Sequence, residues 1–468
     1  MAYAHAERLS ALDESFLALE DARCHMHIGA VAIFDAGPLA TPDGGIDVDR
    51  VRALMAAGIH RIPRYRQRLA WSPIFNHPAW VDDDRFNLAY HVRHTHLPRP
   101  GDARQLKRLV GRLMSQALDR GKPLWEMWVV EGLEGDRFAI VTKVHHCMID
   151  GVGSVDLMGA VMRTTPDPDP ALAQPPPQWI PRPAPEGFDL FFRELSHRAA
   201  TPLEVARLVR DGLRAPRETA DRVIGAVAGL CEALSAGARP ASPTALNVAI
   251  GPHRRFDWLR MDMTQVRAVK AALGGTLNDV VLATLSGALR HFLRRRGVDV
   301  DRLDFRAMVP VNVRSTGERL GNRVAMVSVT LPLDIADARA RLARVVARTT
   351  VVKQSHQALG VQTLEEIADR TLTTLFIQFA RMASIAQPYN VVVTNVPGPA
   401  FPVYVQGARM LECYPVVPLF ECQGLGVALF SYDGGLHWGF NADWDVVPDL
   451  HDLVQAVESE FETLAAGA

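Results

Sequence analysis

Leu106, Leu109, Leu113 and Leu118 recur at helical spacing within residues 104–119 and predict an amphipathic helix. A break at Gly121–Pro123 follows. Two short apolar runs, Met127–Val130 and Phe138–Val144, then read as strands parted by Gly132 and Gly135. The second run ends at His145–His146, and after a turn at Asp150–Gly151 helical spacing resumes over Ser154–Arg163. In the second half Thr276 is a suitable N-cap for a helix running through NDVVLATLSGALRHFLRR to Gly297. Phe305–Val311 and Val324–Leu333 predict strands, and 338–355 and 363–385 predict helices. Residues 390–396 (NVVVTNV) suit a strand buried on both faces, stopped by Pro397, Gly398 and Pro399. Strands and turns fill 403–443, and a helix closes the chain at 449–465. The pattern is α/β in both halves, with no internal sequence repeat.

A length of 468 residues exceeds what one hydrophobic core usually fills. The natural cut is at 165–187, where nine prolines give a semi-rigid polyproline linker. This predicts an N-terminal domain at 1–165, a linker with bridging helices at 166–245, and a C-terminal domain at 246–468. Between 188 and 240, eight arginines face seven acids, as in a solvated amphipathic helix pair or a membrane-facing lid. With 51 basic and 52 acidic residues, the chain lacks the basic footprint of a nucleic-acid binder. The five cysteines (Cys24, Cys147, Cys231, Cys413 and Cys422) include no CxxC pair, which argues against disulfides or zinc and for a reducing cytoplasmic compartment. The start of the chain lacks a signal-peptide layout, and no run approaches ~18 apolar residues, so no transmembrane helix is expected.

The sharpest chemical signal is His145-His146-Cys147-Met148-Ile149-Asp150-Gly151, an HHxxxDG pattern. Histidine is the usual base for a hydroxyl near neutral pH. A strand end followed by a tight turn aims it into a cleft, the aspartate can fix the turn, and Gly151 lets the backbone fold closely. Metal ligation is a weaker reading, because neighbours on a strand point to opposite faces. A purely structural pair is about as weak a reading as metal ligation, and a Cys147 nucleophile is weaker still. The stretch 61–68 (RIPRYRQR) carries four arginines, which suit either a solvated basic face or phosphate contacts.

The chain resembles the bacterial wax ester synthase/acyl-CoA:diacylglycerol acyltransferase family along nearly its whole length. The resemblance rests on LSALDESFLALE near the start, Pro123-Leu124-Trp125, HHCMIDG, Asn278-Asp279 in LNDVVLA, and Asn395-Val396-Pro397-Gly398-Pro399. Within the wider HHxxxDG group it is similar to chloramphenicol acetyltransferase and condensation domains. It implies two similar chloramphenicol-acetyltransferase-like domains with a channel at their interface. Acyl-CoA would enter as substrate, with no further cofactor and no metal. The acceptor would be diacylglycerol or a long-chain alcohol, met at a membrane or lipid-droplet surface that the protein does not span. The resemblance makes His146 the base and His145 structural. It matches Thr394, where the family is expected to prefer Ser, with an oxyanion-stabilising hydroxyl; Asn395 is the alternative. Asn278 and Asp279 suit a substrate contact or a helix cap, and Pro123-Leu124-Trp125 suits the wall of an acyl-chain site or plain core. Competing functions are transfer to a polyketide-type or peptidyl acceptor, and an inactive lipid-binding protein.

By the same resemblance Asp150 orients the turn through an arginine, and Arg314, ending the VPVNVR run, is the candidate. Breaking one side of a buried pair typically costs ~3–5 kcal/mol. Asp150→Asn and Arg314→Met should each lower melting temperature and activity together, with the double variant less damaged than the sum. A shift confined to the pH dependence of Asp150→Asn turnover would instead place Asp150 in proton transfer.

Overall fold

The structure is a computed structural model and describes residues 5–148, 159, 161–167, 178–196, 240–313, 323–354 and 387–468. Among these residues the chain builds two six-stranded mixed sheets and a small three-stranded one. The first sheet holds β2 (His27–Asp35), β5 (Val92–His96), β6 (Trp125–Leu133), β7 (Arg137–His145), β12 (Tyr404–Val405) and β13 (Ala408–Val416), in the order β12-β13-β2-β7-β6-β5. The second holds β8 (Arg254–Asp262), β9 (Phe305–Val313), β10 (Arg323–Leu331), β11 (Val391–Pro397), β14 (Leu425–Tyr432) and β15 (Gly435–Asp443), in the order β10-β9-β11-β14-β15-β8. The three-stranded sheet pairs β1 (Glu7–Arg8) and β3 (Gln67–Trp71) with β4 (Pro78–Asp82).

The two halves share a motif that the sequence does not display as a repeat. In the first, β2 and β7 are antiparallel, β7 and β6 antiparallel, and β6 and β5 parallel. In the second, β8 and β15 are antiparallel, β15 and β14 antiparallel, and β14 and β11 parallel. Chain order and sense match strand for strand. β7 and β15 therefore occupy the same place, and each ends opposite the first residue of its partner: His145 opposite His27, and Asp443 opposite Arg254.

Helices cover the sheets. In order they are α1 (Ala11–Leu19), α2 (Val48–Gly58), the short α3 (Leu88–His91), α4 (Ala103–Met114), α5 (Met263–Leu273), α6 (Leu277–Arg295), α7 (Ala338–Gln354) and α8 (Leu450–Ala466). α4 begins with an Asp102–Gln105 capping box and buries Leu106, Leu109, Val110 and Leu113. It ends five residues before the sequence pattern suggested, where the Ser115 hydroxyl donates to the Gly111 carbonyl (2.7 Å). Leu118 still reaches the core from beyond the helix. Thr276 caps α6 as expected. Pro397 lies inside β11 rather than beyond it, at its last position, where a missing N–H does little harm to the ladder. The expected helices at 154–163 and 363–385 fall largely outside the described residues.

One hairpin crosses the expected boundary. β12 and β13 belong to the 246–468 segment, yet β13 pairs with β2 in the first sheet, so the cut at 166–245 does not separate the two sheets. The exchange covers the otherwise open edge of β2. It also ties the halves together, since the Tyr414 ring of β13 stacks on Trp258 of β8 (4.9 Å). Gly439 of β15 permits this approach; an added Cβ there would lie 1.8 Å from the Pro415 carbonyl oxygen. Within the proline-rich linker, Asp82 accepts from the Arg182 backbone and from two guanidinium nitrogens (3.0, 2.9 and 2.7 Å), pinning this part of the linker to β4.

Candidate active site

β7 is buried along nearly its full length and delivers His145 and His146 to the seam. The chain then tightens into a 3-10 turn, His146–Met148. Two backbone hydrogen bonds hold the strand end: His145 N–H donates to Leu124 O (2.9 Å) and His146 N–H to Met26 O (2.8 Å). Leu124 and Trp125 are fully buried. The Trp125 indole donates to Tyr65 O (2.8 Å) and stacks on His91 (4.6 Å), so this segment braces the histidine strand from within the core.

His145 sits in a buried polar cluster centred on Glu20. Its Nε2–H donates to the Glu20 carboxylate (2.7 Å), and its Nδ1 accepts from Cys147 N–H (3.1 Å), which fixes the tautomer. Arg120 donates to the same carboxylate (2.9 Å), and His25 and His27 lie 3.8 and 3.7 Å from it. Burial alone would raise the Glu20 pKa, but the His145 hydrogen bond, then His25 and the neighbouring positive charge, hold it far below the usual carboxylate range.

His146 is set apart from this network. Its ring stacks on Phe16 of α1 (3.9 Å, 22°). Nδ1 is the buried nitrogen, and Nε2 makes no hydrogen bond among the described residues, so Nε2 is the atom left open. Burial lowers its pKa to about 4, against a smaller opposite pull from its own backbone and with His145 adding to the decrease. The imidazole is therefore neutral and proton-accepting at physiological pH. Next to it, burial drives the Cys147 thiol well above its ordinary pKa, which removes a thiolate nucleophile from consideration.

From the second half, Asn395 Nδ2 of β11 donates to the Asn278 side-chain oxygen Oδ1 (2.7 Å), joining two motif residues 117 positions apart. Asp279 is buried and fully engaged: it accepts from Thr276 N–H and Oγ1 (2.7 Å each) and from Thr349 Oγ1 (2.6 Å). It serves the helix cap, not an open cleft. Thr394 is half-buried, and its hydroxyl has no partner among the described residues. No described hydrogen bond or ring contact links His146 to Asn278, Thr394 or Asn395. Asp150, Gly151 and Arg314 lie outside the described residues. In the basic stretch, Arg64 pairs with Glu7 (2.5 Å), Arg66 lies over Trp179 (4.5 Å) and Arg68 approaches Asp83 (3.9 Å), so these guanidinium groups already have partners.

Sequence reading missed Phe16, Glu20, His25, His27 and Arg120 as site residues. The signal was an acid, Glu20, ending the apolar run LAL in LSALDESFLALE. The segment is α1: Ser10 caps it, Phe16 lies against His146, and Glu20 holds His145.

Paired mixed sheets of this order match the chloramphenicol-acetyltransferase-like fold that condensation domains also adopt. The first condensation domain of the CDA synthetase shares the fold (TM-score 0.58, 16% identity, 99% of this chain and 97% of that one). The wax ester synthase/diacylglycerol acyltransferase catalytic domain profile matches residues 9–281, and the WS/DGAT C-terminal domain profile matches 320–465. A probable diacylglycerol O-acyltransferase of Mycobacterium tuberculosis is 33% identical over 98% of this chain and 96% of its own. The wax ester synthase/diacylglycerol acyltransferase from Marinobacter aquaeolei superposes with a TM-score of 0.69 at 27% identity, covering 98% of this chain and 99% of that one. The chain belongs to the wax ester synthase/diacylglycerol acyltransferase family and is an acyltransferase enzyme.

Glu20→Gln keeps the side-chain size and removes the charge that His145 and Arg120 share. Hydrogen bonds to a charged group are worth about 1.5–3 kcal/mol, so urea unfolding should show a loss of that order together with lower turnover. An unchanged unfolding free energy would mean the carboxylate does not hold the strand end.

Proposed function

We propose that the enzyme moves a long-chain acyl group from acyl-CoA to a lipid hydroxyl, that of diacylglycerol or a fatty alcohol, with His146 as general base. The observation that carries this reading is a buried imidazole, kept neutral by that burial, at the end of a strand held by backbone hydrogen bonds, with no hydrogen bond at Nε2 among the described residues. Nε2 takes the hydroxyl proton as the alcohol oxygen bonds to the thioester carbonyl carbon. The tetrahedral oxyanion collapses, the carbon–sulfur bond breaks, and the imidazolium returns the proton to the departing thiolate. Thr394, with its free hydroxyl, and the Asn278–Asn395 pair are the donors we assign to the oxyanion. The names of the mycobacterial and Marinobacter relatives support both acceptor classes.

His146→Ala should lower turnover by about 10²–10⁴-fold with the circular-dichroism spectrum preserved. Because the working form is the unprotonated one, wild-type kcat/KM should hold from pH 7 to 5 and fall as pH drops through about 4. A folded His146→Ala enzyme retaining a tenth of wild-type turnover, or an acid limb at the ordinary histidine value, would remove His146 from this role.

We further propose that the enzyme works on a lipid surface without spanning it. No single helix among the described residues is long and apolar enough to cross a membrane. The β3–β4 turn presents Ile74 85% exposed, with φ at 68°, a strained conformation for a β-branched residue. Phe75 stacks on Phe191 (5.3 Å), joining that turn to the helical segment 187–196, where Phe188 is 78% exposed. These side chains form an apolar tip suited to a bilayer interface. Wild-type protein should float with phospholipid vesicles, and the Ile74→Asp/Phe188→Asp variant should stay at the bottom of the gradient. Wild-type protein that does not float would end this proposal.

A further inference from the structure

A groove of about 1460 Å³ lies where α4 of the first half meets β8 and the start of α8 from the second. Gly111 brings the elements together there, since an added Cβ would lie 2.7 Å from the Arg254 carbonyl oxygen. Arg104, Arg108 and Arg112 line it. They are exposed, spaced four apart on one stripe of α4, and have no acidic partner or hydrogen bond among the described residues. Like charges at that spacing destabilise a helix, so the stripe is not explained by the fold's own stability. Across the groove, Arg255 lies over the Trp444 ring (3.7 Å), and Trp444 is 43% exposed. The acid lining the groove, Asp257, is already occupied by Lys107 and by His451 (2.9 Å). Three free guanidinium groups and a fourth on an open indole thus surround one space.

The place of this groove in the fold is informative. Trp444 directly follows Asp443, as His146 follows His145, and β15 is the counterpart of β7. The strand end that carries imidazoles in the first half carries an indole, flanked by arginines, in the second. The groove also adjoins the catalytic cluster: its wall residue Ser115 contacts His25 through its carbonyl (3.2 Å), and His25 faces Glu20, which holds His145.

We infer that this groove binds the phosphorylated nucleotide end of the acyl donor, a 3′-phosphoadenosine 5′-diphosphate, with the base on Trp444 and the phosphates along the α4 arginines. The inference rests on the acyl-CoA reading of the active site. Arginine forks match phosphate oxygens bidentately, and an indole offers a flat surface to a purine. A donor anchored here is linked to His145 through the Ser115 carbonyl, His25 and Glu20.

The test is calorimetric titration of the full-length enzyme with coenzyme A, 3′-dephospho-coenzyme A and adenosine 3′,5′-bisphosphate. The wild type is compared with the Arg104→Gln/Arg108→Gln/Arg112→Gln variant and with Trp444→Ala. The bisphosphate should bind the wild type at one site and more weakly as salt rises. The triple variant should lose about tenfold or more in affinity for coenzyme A and the bisphosphate, and its preference for coenzyme A over the dephospho form should vanish. These arginines are exposed, so the melting temperature should hold and a lost affinity cannot be assigned to unfolding. Coenzyme A binding that is tight in the wild type and unchanged in the triple variant overturns this inference and leaves the acyl-CoA reading standing. A wild type that binds no coenzyme A overturns both. Phosphatidylglycerol vesicles that lose the triple variant while bisphosphate affinity stays unchanged would mark the stripe as a headgroup surface, and also overturn the inference.

Discussion

The site depends on one buried carboxylate. Glu20 gathers His145, His25, His27 and Arg120, side chains from the start of β2, the end of β7 and the segment after α4. An ionised carboxylate in that position would be costly without partners, and each partner is held where it is because the charge is there. The effect is to fix the strand end rather than to move protons. His145 is committed to one tautomer by Glu20 on one nitrogen and by Cys147 N–H on the other, so it is spoken for. Its neighbour His146 makes no such hydrogen bond among the described residues.

α1 gives the two adjacent histidines opposite environments. Phe16 and Glu20 are four residues apart and so project from one face, around the end of the helix. Phe16 lays an apolar ring against His146, while Glu20 places an anion against His145. Burial without a counter-charge lowers the His146 pKa to about 4. Two identical side chains, adjacent in sequence, are thereby given different surroundings by a single helix, an anion beside one and an apolar ring beside the other, and the base role we propose for His146 rests on that difference.

Much of this was readable before the fold was known, wherever a single local rule governed. The Thr276 cap, the apolar stripe of α4 and the strand ending in His145–His146 follow from spacing and residue type, whereas 390–396, read as buried on both faces, forms a strand that is buried over Val391–Val393 and half-buried at Thr394, Asn395 and Val396. Long-range pairings were not readable. Nothing local to Ala408–Val416 says that it leaves its own half to cover β2, because the reason is an open edge some 380 residues earlier, between 27 and 35. Glu20 was hidden for the same reason: its partners lie at 25, 27, 120 and 145, and an acid at the end of an apolar helix reads locally as a surface residue. Asn278 and Asp279 show the limit in miniature. Adjacent in one motif, they part in the structure, Asn278 bonding to Asn395 and Asp279 turning back to cap its own helix.

The duplicated topology explains why the molecule has one histidine site and not two. The four-strand motif recurs with the same order and sense, so the backbone offers two equivalent strand ends. In the first, His27 faces His145. In the second, Arg254 faces Asp443, with the guanidinium also donating to the Gly251, His253 and Arg23 carbonyls. That arrangement engages the facing pair with each other and with backbone carbonyls. What remains open at the second end is positive charge on neighbouring elements and an exposed indole, features that hold an anion rather than transfer a proton. A fold that repeats its backbone can thus divide labour through side chains alone: on the functions proposed above, one strand end serves the reacting hydroxyl, and the other the charged, non-reacting end of the substrate.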